Sequence, residues 1–574
     1  MPDRQCKVRL WSPNAKRAEA VVNGQRLPMA PDGAEHWLIE LPVGTDYLLS
    51  IDGGEPRPDP RSAQQPYGVH GPSRVFDTGA FEWTDDDWQG AEVLGSVMYE
   101  LHIGTFTPQG TLDAAIERLD HLVRLGVRTV ELMPVVPFPG ERGWGYDGVS
   151  LFAVHEAYGG PAALQRFVDA AHARGLAVCL DVVYNHFGPA GNYAPVFAPY
   201  FTDRHQTPWG DAINLDDEHS GGVRDFICDN ALRWLRDFHI DALRLDAVHA
   251  LMDDSETHIL AELSDRVQAL AAELDRRLVL IAESDLNQPA MVRPRAEGGL
   301  GMDAQWADDV HHALHAYLTD ETFGYYVDFG SAATLRQALE HVFVHDGSWS
   351  TFREQHWGAP VPDDMDRRKF VTFTQNHDQV GNRGRGDRPG AKLHAGTLAG
   401  GQAILLLSPF TPMLFQGQEW GTKRPFLFFT DHEEELGAAV TRGRLAEFSS
   451  HGWQAIYGPD ADVPDPQAVA TFEASKLDWT EKEHPPQARA AEWHRRLISL
   501  RRELLGDRAH PVRTDYADDW FRMVHGPVTV IICPAARPVD LAEPRGKVVA
   551  SWGEVHVAEG RVHMPGESVV VLTD

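Results

Sequence analysis

Between Val97 and about residue 505, short apolar segments alternate with longer amphipathic segments about eight times. The segment LAVCLDVV is almost continuously apolar, which is typical of a strand buried on both faces of a parallel sheet. About eight strand–helix units over roughly 400 residues predict a (β/α)8 barrel, or TIM barrel, enlarged by insertions. The alternative, an open doubly wound sheet, is less favoured because no glycine-rich phosphate loop follows the first strand.

Several barrel elements can be assigned from the spacing of apolar residues. The segments VMYELHIGTF and VRTVELMPV are predicted strands, and KFVTFTQNHD and AILLLSPFTPMLF continue the strand pattern. The segment TLDAAIERLDHLVRLG is predicted to form a helix with one apolar face, which contains Leu112, Ile116, Leu119 and Val123. The segment HHALH, residues 311–315, is predicted to lie on a helix that covers the barrel.

Short strand patterns flank the barrel segment on both sides. Residues 1–90 contain strand-like segments separated by turns, such as VRLWSP, AEAVVNG and HWLIELPVG, and predict an N-terminal β-sandwich domain. Residues 97–505 form the predicted barrel domain. Residues 508–574 return to strand patterns, which predict a small C-terminal β domain.

The charge and composition of the chain bear on its partners. The formal net charge of −32 argues against nucleic acid and anionic membrane lipids and favours a neutral substrate. No apolar run approaches the roughly 18 residues of a membrane span, and the first residues lack the apolar core of a secretory signal, so we expect a cytoplasmic protein. The four cysteines are scattered without a CxxC spacing, which predicts free thiols. No metal or cofactor is predicted.

Charged side chains recur where the predicted strands end. The carboxyl ends of the strands of such a barrel form one mouth, where the chemistry takes place. Four predicted strands end in charged residues, which are Asp181 with His186, Arg244 with Asp246, Glu283, and His377 with Asp378. A structural ion pair would explain Arg244 and Asp246 alone, since alternate residues of a strand share one face. Carboxylates from several strands at one mouth indicate a reactive site instead.

Converging carboxylates with an arginine and histidines suggest either a metal site or glycoside hydrolysis. Metal-ligand patterns such as HExxH are absent from the sequence. Cleavage of a sugar acetal needs one carboxylate as nucleophile and one protonated carboxyl group as acid, and aromatic rings pack against the sugar. The 16 tryptophans and 13 tyrosines can supply such rings, so glycoside hydrolysis is favoured.

Four motifs carry a resemblance to a known superfamily. The segments DVVYNH, ALRLDAVHA, IAES and FTQNHD resemble, in order and spacing, the four sequence regions of the α-amylase superfamily of glycoside hydrolases. Other segments, among them WGYDGV, DAQWADDVHHALHA and PDPQAVATFEASKLDW, resemble the maltooligosyltrehalose trehalohydrolases within it. The resemblance implies cleavage of the α-1,4 bond next to the terminal trehalose unit of maltooligosyltrehalose, in trehalose biosynthesis from α-1,4-glucan oligosaccharides. It also implies a functional pairing with a maltooligosyltrehalose synthase.

The resemblance assigns roles to the residues at the predicted mouth. Asp246 would be the nucleophile, Glu283 the general acid and base, and Asp378 the carboxylate that stabilises the transition state. Arg244 would keep Asp246 ionised, because a neighbouring cation favours the charged form. Glu283 must start protonated, so we expect burial and neighbouring carboxylates to raise its pKa. In a retaining enzyme the Asp246 and Glu283 carboxyl groups would be roughly 5 to 5.5 Å apart.

The same resemblance identifies residues on the donor side, which would hold the glucan. His186 and His377 resemble ligands of the donor sugar ring, and Tyr146 resembles its stacking platform. Asp181 is expected either to order the site or to be purely structural. In some members of the superfamily the asparagine that corresponds to Asn185 binds calcium, but no metal is assigned to Asn185.

The acceptor side would have to read the trehalose unit. The candidates are His249, Trp209 in TPWGD, and Glu419 with Trp420, and each could instead be an ordinary rim or core residue. The family often reads GEEWG where this chain reads GQEWG, so Gln418 is left out of the catalytic set.

Two other functions remain open from the sequence. A branching enzyme would use the same carboxylates but transfer the glycosyl group to another glucan, so reducing ends would not increase. A catalytically inactive glucan-binding protein on the same barrel is disfavoured because every catalytic carboxylate is in place.

Overall fold

The computed structural model describes residues 4–448, 454–457, 462–506, 509–542 and 546–574. Residues 1–3, at the start of the predicted N-terminal domain, and residue 508, where the predicted C-terminal domain begins, lie outside the described residues. Antiparallel sheets precede and follow a closed barrel of parallel strands.

The N-terminal residues form two small antiparallel sheets. One contains Gln5–Trp11, Ala30–Pro31 and His36–Pro42, and the other contains Ala18–Val22, Gln25–Pro28, Asp46–Ile51 and Ser73–Arg74. Inward-facing residues of both sheets, including Val8, Leu10, Ala20, Leu41 and Leu49, pack into one buried cluster. This is the packing of a β sandwich.

Eight parallel strands close into a barrel in which the eighth pairs with the first. In chain order they are Met98–Leu101, Thr129–Leu132, Ala177–Val182, Ala242–Leu245, Val279–Ala282, Ala304–Trp306, Phe370–Phe373 and Thr411–Phe415. Side chains alternate in direction, so Ala242 packs in the barrel interior while Leu243 and Leu245 pack against the helices. The predicted (β/α)8 barrel is confirmed.

Helices cover the outside of the barrel. The longer ones are Gly160–His172, Ser220–Asp237, Ile259–Leu274, Asp308–Thr319, Ala332–His341, Ala395–Leu407, Glu434–Phe448 and Pro485–Leu500. The shorter ones are Ile103–Phe106, Leu112–Ile116, Leu119–Leu125, Ala194–Phe197, His377–Gly381, Gln454–Tyr457 and Val469–Ser475. Two hairpins extend from the loops, Phe201–Thr207 with Gly210–Ile213 and Trp349–Ser350 with Gln355–His356. The segment HHALH lies on a barrel helix, as predicted.

Two predicted elements differ from the structure, and one barrel strand was not predicted. The sequence pattern misses the sixth strand, Ala304–Trp306, because this strand is short and includes the polar Gln305. The segment AILLLSPFTPMLF contains the end of helix Ala395–Leu407 and then the eighth strand. The helix predicted from TLDAAIERLDHLVRLG is broken into two, and Val123 is exposed while Leu122 is buried.

Two antiparallel sheets follow the barrel. The larger contains Val512–Ala517, Trp520–His525, Val528–Cys533, Lys547–Trp552 and Ser568–Thr573, and the smaller contains Val539–Ala542, His556–Ala558 and Arg561–Met564. The larger sheet packs on helix Ala395–Leu407. That helix is buried almost all round, so it requires a partner on its outer side as well as the barrel on its inner side.

Two further expectations concern the chain as a whole. Within the described ranges, no helix is both long enough and apolar enough to cross a membrane. Cys6, Cys179, Cys228 and Cys533 are free thiols, as expected. The exact boundaries of the three predicted domains stay a prediction.

Candidate active site

Arg244 connects carboxyl groups that follow three neighbouring strands of the barrel. It is fully buried at the end of the fourth strand, with its guanidinium carbon 4.2 Å from the centre of the Trp306 ring. Its Nη1 donates hydrogen bonds to Asp181 Oδ2 (2.7 Å) and Asp246 Oδ1 (2.9 Å), and its Nη2 lies 2.9 Å from Glu283 Oε2. A buried guanidinium is costly unless it is paired, and here it holds several acidic side chains in place.

The chain turns sharply after the fourth strand and presents Asp246 at the mouth. Asn185 Nδ2 donates to Asp246 Oδ2 (2.8 Å) and to the Asp246 carbonyl oxygen (2.7 Å). The next residue, Ala247, has a φ of 38°, in the left-handed region that is strained for a residue with a Cβ. Its N–H donates to Glu283 Oε2 (2.6 Å), so the strained turn fixes Asp246 and Glu283 relative to each other.

Glu283 lies in an environment that favours the protonated carboxyl group. Burial raises its pKa well above the usual range, and the carboxylates of Asp246 and Asp378 raise it further, although Arg244 acts in the opposite direction. This direction agrees with the expectation from the sequence, since a general acid must hold its proton at neutral pH.

His377 and Asp378 follow the seventh strand and face the same mouth. Asp378 Oδ2 lies 3.4 Å from His377 Nε2, and Asp378 Oδ1 accepts a hydrogen bond from Asn382 (3.0 Å). His377 Nδ1 lies 2.5 Å from Glu100 Oε1. Burial disfavours the charged imidazole, but the carboxylates of Asp378 and Glu100 outweigh it and raise the pKa of His377 to about 10. His377 is therefore a cation at neutral pH.

Tyr146 joins His377 to Asp181 across the mouth. Its hydroxyl donates to Asp181 Oδ2 (2.6 Å) and accepts from His377 Nε2 (2.8 Å), and the Tyr146 and His377 rings stack with centroids 5.1 Å apart. Burial raises the pKa of Asp181 to about 6, although Arg244 lowers it. The Tyr146 side chain is only partly buried, so its ring can also contact a sugar.

His186 and Trp209 form a second aromatic surface. Their rings are almost parallel, with centroids 4.4 Å apart and planes at 3°. His186 is fixed through Nδ1 to Asn185 Oδ1 (2.5 Å) and through Nε2 to the Tyr146 carbonyl oxygen (2.9 Å). Trp209, which was an acceptor-side candidate, is 50% exposed on its hairpin. Its stacking on His186 places it beside the predicted donor-side residues.

The other acceptor-side candidates do not lie together. His249 is partly exposed, with Nδ1 3.7 Å from Asp285 Oδ1. Glu419 and Trp420 are both fully buried, and Glu419 accepts a hydrogen bond from the Tyr99 hydroxyl (3.1 Å), on the outer face of the first strand. The chain after the eighth strand turns outward into the helix layer, so Glu419 and Trp420 do not lie together with the carboxylates at the mouth, and their contact with substrate stays a prediction.

Gln418, where the family often has glutamate, is buried in the same turn. Its Nε2 donates to Thr374 Oγ1 (2.8 Å) and Gln402 Oε1 (2.9 Å), and its Oε1 accepts from the Phe415 N–H (3.0 Å). An ionised glutamate could not donate the first two hydrogen bonds. The amide therefore has a structural role in this chain.

Two buried glutamates below the mouth are not among the residues predicted from the sequence. Glu100 and Glu131 are paired in register on the first and second strands and are fully buried. Glu100 accepts from His377, whereas both carboxyl oxygens of Glu131 lack a nitrogen or oxygen partner among the described residues. Burial, followed by the charge of Glu100, raises the pKa of Glu131 to about 8. Glu100 and Glu131 are each the single charged residue of an apolar strand. The same pattern drew attention to Arg244 in the sequence.

A cavity of about 490 Å³ lies beside Asp378. Its lining residues come mainly from loops and include Asp285, Asp308, Tyr325, Phe352 and Arg353. Burial and the neighbouring carboxylate of Asp378 raise the pKa of Asp308 to about 7. The tyrosine, phenylalanine and arginine belong to an insertion between the sixth and seventh strands that has no periodic pattern, so they could not be predicted from the sequence.

One group of the described residues has the ligand types of a metal site. Single ligand atoms of His205, Asp216 and Asp254 lie within 4.8 Å of one another. Arg204 lies 3.8 Å from Asp216 and 3.6 Å from Asp254, so both carboxylates already have a cationic partner. We interpret the group as an ion-pair cluster.

Known proteins resemble this chain over nearly its whole length. Residues 74–196 match the family described as alpha amylase, catalytic domain. A maltooligosyltrehalose trehalohydrolase from Arthrobacter ramosus is 51% identical over 572 residues, with 98% of each chain covered. The protein of the same name from Rhizobium sp. (strain M-11) is 47% identical, with 98% of this chain and 97% of its own chain covered. The crystal structure of a putative alpha amylase from Salmonella typhimurium superposes with a TM-score of 0.90 at 36% identity, covering 100% of this chain and 98% of its own.

Proposed function

The chain belongs to the maltooligosyltrehalose trehalohydrolase family, and we propose that it hydrolyses the α-1,4 bond next to the terminal trehalose unit of maltooligosyltrehalose. The products are free trehalose and a shortened maltooligosaccharide. The observation that carries this proposal is the position of Asp246 and Glu283 on the two terminal nitrogens of the Arg244 guanidinium. This arrangement supports a short distance between the two carboxyl groups, as a retaining mechanism needs.

In the first step, Glu283 donates its proton to the glycosidic oxygen while an Asp246 oxygen attacks the anomeric carbon. The bond to the trehalose oxygen breaks, trehalose leaves with the proton, and the glucan remains as an ester of Asp246. Glu283 is left as a carboxylate. The buried surroundings that raise its pKa, together with the Asp246 and Asp378 carboxylates, favour the proton at the start of this step.

In the second step, Glu283 accepts a proton from water while the water oxygen attacks the anomeric carbon. The ester bond to Asp246 breaks, Asp246 returns as a carboxylate, and Glu283 is protonated again. Each step inverts the anomeric carbon, so the overall configuration is retained. Asp378 stabilises the positive charge that develops on the sugar, and hydrogen bonds from Arg244 and Asn185 orient Asp246 for attack.

We assign the trehalose unit to the cavity beside Asp378, which Phe352 lines; His249 lies next to it, with Nδ1 3.7 Å from Oδ1 of the lining residue Asp285. The cavity combines aromatic side chains with carboxyl groups and a guanidinium, which are the groups that pack against sugar rings and bind their hydroxyls. Trehalose and maltose differ in linkage and therefore present different hydroxyls. Polar groups that fit trehalose stay unpaired with maltose, which disfavours cleavage of plain maltooligosaccharide.

A product assay tests this function. With maltooligosyltrehalose, which lacks a reducing end, we expect trehalose and a new reducing end in equal amounts. The rate should exceed that on maltooligosaccharide of equal length by roughly 10²-fold or more, because maltooligosaccharide leaves polar groups of the acceptor site unpaired. Glucan transfer without new reducing ends would favour a branching enzyme, and equal rates on both substrates would contradict a trehalose-specific site.

Truncation in the acceptor cavity should change specificity. We expect Phe352→Ala and His249→Ala to lower kcat/KM for maltooligosyltrehalose by about 10- to 100-fold, and far less for maltooligosaccharide of equal length. Phe352 is 47% exposed and His249 is partly exposed, so neither variant should unfold the protein. Trp349→Ala is the matched control, because Trp349 is exposed near Phe352 but does not line the cavity. Equal losses on both substrates would place trehalose recognition elsewhere.

The source of the substrate follows from its chemistry. Maltooligosyltrehalose has no reducing end, so the supplying reaction must convert the terminal linkage of a maltooligosaccharide into that of trehalose. This is the reaction class of the predicted synthase partner. We propose this pairing, and a cytoplasmic location, on the resemblance and the sequence pattern alone.

A further inference from the structure

The barrel and the C-terminal sheet enclose a cavity of about 980 Å³ that is separate from the catalytic mouth. Its walls include the loop around Arg388, the first turns of helices Ala395–Leu407 and Pro485–Leu500, and Trp552 of the large C-terminal sheet. None of the proposed catalytic carboxylates lines it. The proposed glucan hydrolysis gives this cavity no role.

The charged side chains of the cavity are mostly cationic. They are Arg385, Arg388, Lys423 and Arg489, with Asp387 as the acidic residue. Asp387 is already paired with Arg383 at 2.9 Å. A concentration of cations around one cavity is notable in a chain with a net charge of −32, and it favours an anionic ligand.

Arg388 is the residue that most needs such a ligand. It is only 6% exposed, and its Nε and Nη1 donate to the Arg424 carbonyl oxygen (2.9 Å) and Gln375 Oε1 (3.1 Å). Its Nη2 has no hydrogen-bond partner among the described residues. Burial lowers the pKa of Arg388 to about 10, although the more distant Glu419 acts in the opposite direction. A buried cation without a close counter-ion is costly, so its retention calls for an explanation.

Arg501 shows that burial alone does not leave an arginine unsatisfied. It is also buried, but its three guanidinium nitrogens donate to the carbonyl oxygens of Gly95, Leu406, Ser408 and Phe410. It therefore has a complete structural role. Arg388 differs because one of its nitrogens stays unpaired beside a large cavity.

The remaining walls suggest the rest of the ligand. Leu393, Leu398 and Trp552 form an apolar wall, and the Arg489 guanidinium lies 3.9 Å above the Trp552 ring. The N-terminal turns of two long helices add partial positive charge at the same place. The cavity thus offers cations for a small anion and an apolar surface for a ring.

We infer that this cavity binds a phosphorylated sugar, with the phosphate near Arg388, Arg489 and Lys423 and the sugar ring against the apolar side chains of Leu393 and Leu398. Guanidinium groups match phosphate oxygens in geometry and charge. An uncharged glucan would bring no negative charge to balance the buried positive charge of Arg388.

Titration calorimetry of the full chain with glucose 6-phosphate, inorganic phosphate and glucose tests this inference. At low ionic strength we expect glucose 6-phosphate to bind with a Kd below about 1 mM, inorganic phosphate at least about 10-fold more weakly, and glucose not measurably. Because removal of the buried Arg388 could impair folding, Arg489→Gln, at an exposed position, is the main variant. It should weaken glucose 6-phosphate binding by about 10-fold or more.

Arg277→Gln is the control, since Arg277 is exposed and does not line the cavity. No binding of glucose 6-phosphate, or an equal loss in Arg489→Gln and Arg277→Gln, would overturn the inference. Equal affinities for glucose 6-phosphate and inorganic phosphate would also overturn it, because the sugar would then contribute nothing. Binding is measured without glucan, so the result does not depend on the proposed hydrolysis.

Discussion

Asp246→Asn should lower kcat on maltooligosyltrehalose by about 10⁴-fold or more, with little change in Tm. An amide cannot form the glycosyl ester, so the two-step reaction stops at its first step. Glu283→Gln should have a comparably large effect, because a glutamine amide can neither protonate the leaving oxygen nor accept a proton from water. Steady-state kinetics and thermal unfolding of each variant provide the measurement.

The structure explains why these variants should stay folded. In Asp246→Asn, Arg244 keeps Asp181 as a counter-ion at 2.7 Å, and its Nη2 still lies 2.9 Å from Glu283 Oε2. Asp254→Asn is a suitable control, because Asp254 is exposed on the segment that follows the fourth strand. It should retain activity within about 10-fold. Near-normal turnover by Asp246→Asn at wild-type Tm would refute the nucleophile assignment.

Glu131→Gln should stabilise the protein increasingly as the pH rises from 5 to 8. The pKa of Glu131 is about 8 in the folded chain, against an ordinary value of 4.5. Between these values the unfolded chain loses the proton while the folded chain keeps it, so folding binds a proton and wild-type stability falls as the pH rises. The stability that wild type retains by keeping Glu131 protonated is fully present below pH 4.5 and is lost by about pH 8.

Glutamine stays neutral and avoids this loss. We expect a gain on the order of 3–5 kcal/mol at pH 8 and a small gain at pH 5, visible as a Tm difference of several degrees that appears only at the higher pH. Glu117→Gln, at an exposed helix end, is the control and should leave the pH dependence of Tm unchanged. Parallel Tm curves for Glu131→Gln and wild type would show that Glu131 is not neutral in the folded chain.

The sequence predicts the barrel well because its strands are either continuous apolar runs or apolar runs with one inserted charge. Ala177–Val182 is the clearest example, since every residue is buried. The sixth strand escapes prediction because Gln305 interrupts a strand too short for any periodicity. Hydrogen bonding to strands on both sides, which no local pattern encodes, makes Ala304–Trp306 part of the barrel.

Some residues of the candidate site can likewise be predicted from the sequence, and others cannot. Asp246 and Glu283 are predictable because each directly follows a recognisable strand, and Asp378 because it lies in the short segment after the strand Phe370–Phe373. Glu131 carries a similar signal, but its pairing with Glu100 on the neighbouring strand becomes visible only in the folded barrel. The cavity beside Asp378 is harder to predict, because Tyr325 and Phe352 reach it from irregular loops whose path depends on tertiary packing.

The hydrogen bond from Arg388 to Gln375 places the enclosed cavity and the catalytic mouth on one loop. Gln375 lies two residues before His377 and three before Asp378, and its side chain is held by the arginine that a bound anion would attract. Any ligand that changes this hydrogen bond also changes the free energy of placing Asp378 at the mouth. Thermodynamic linkage then requires reciprocity, so substrate bound at Asp378 must alter the affinity for the anion by the same factor as the anion alters the affinity for substrate.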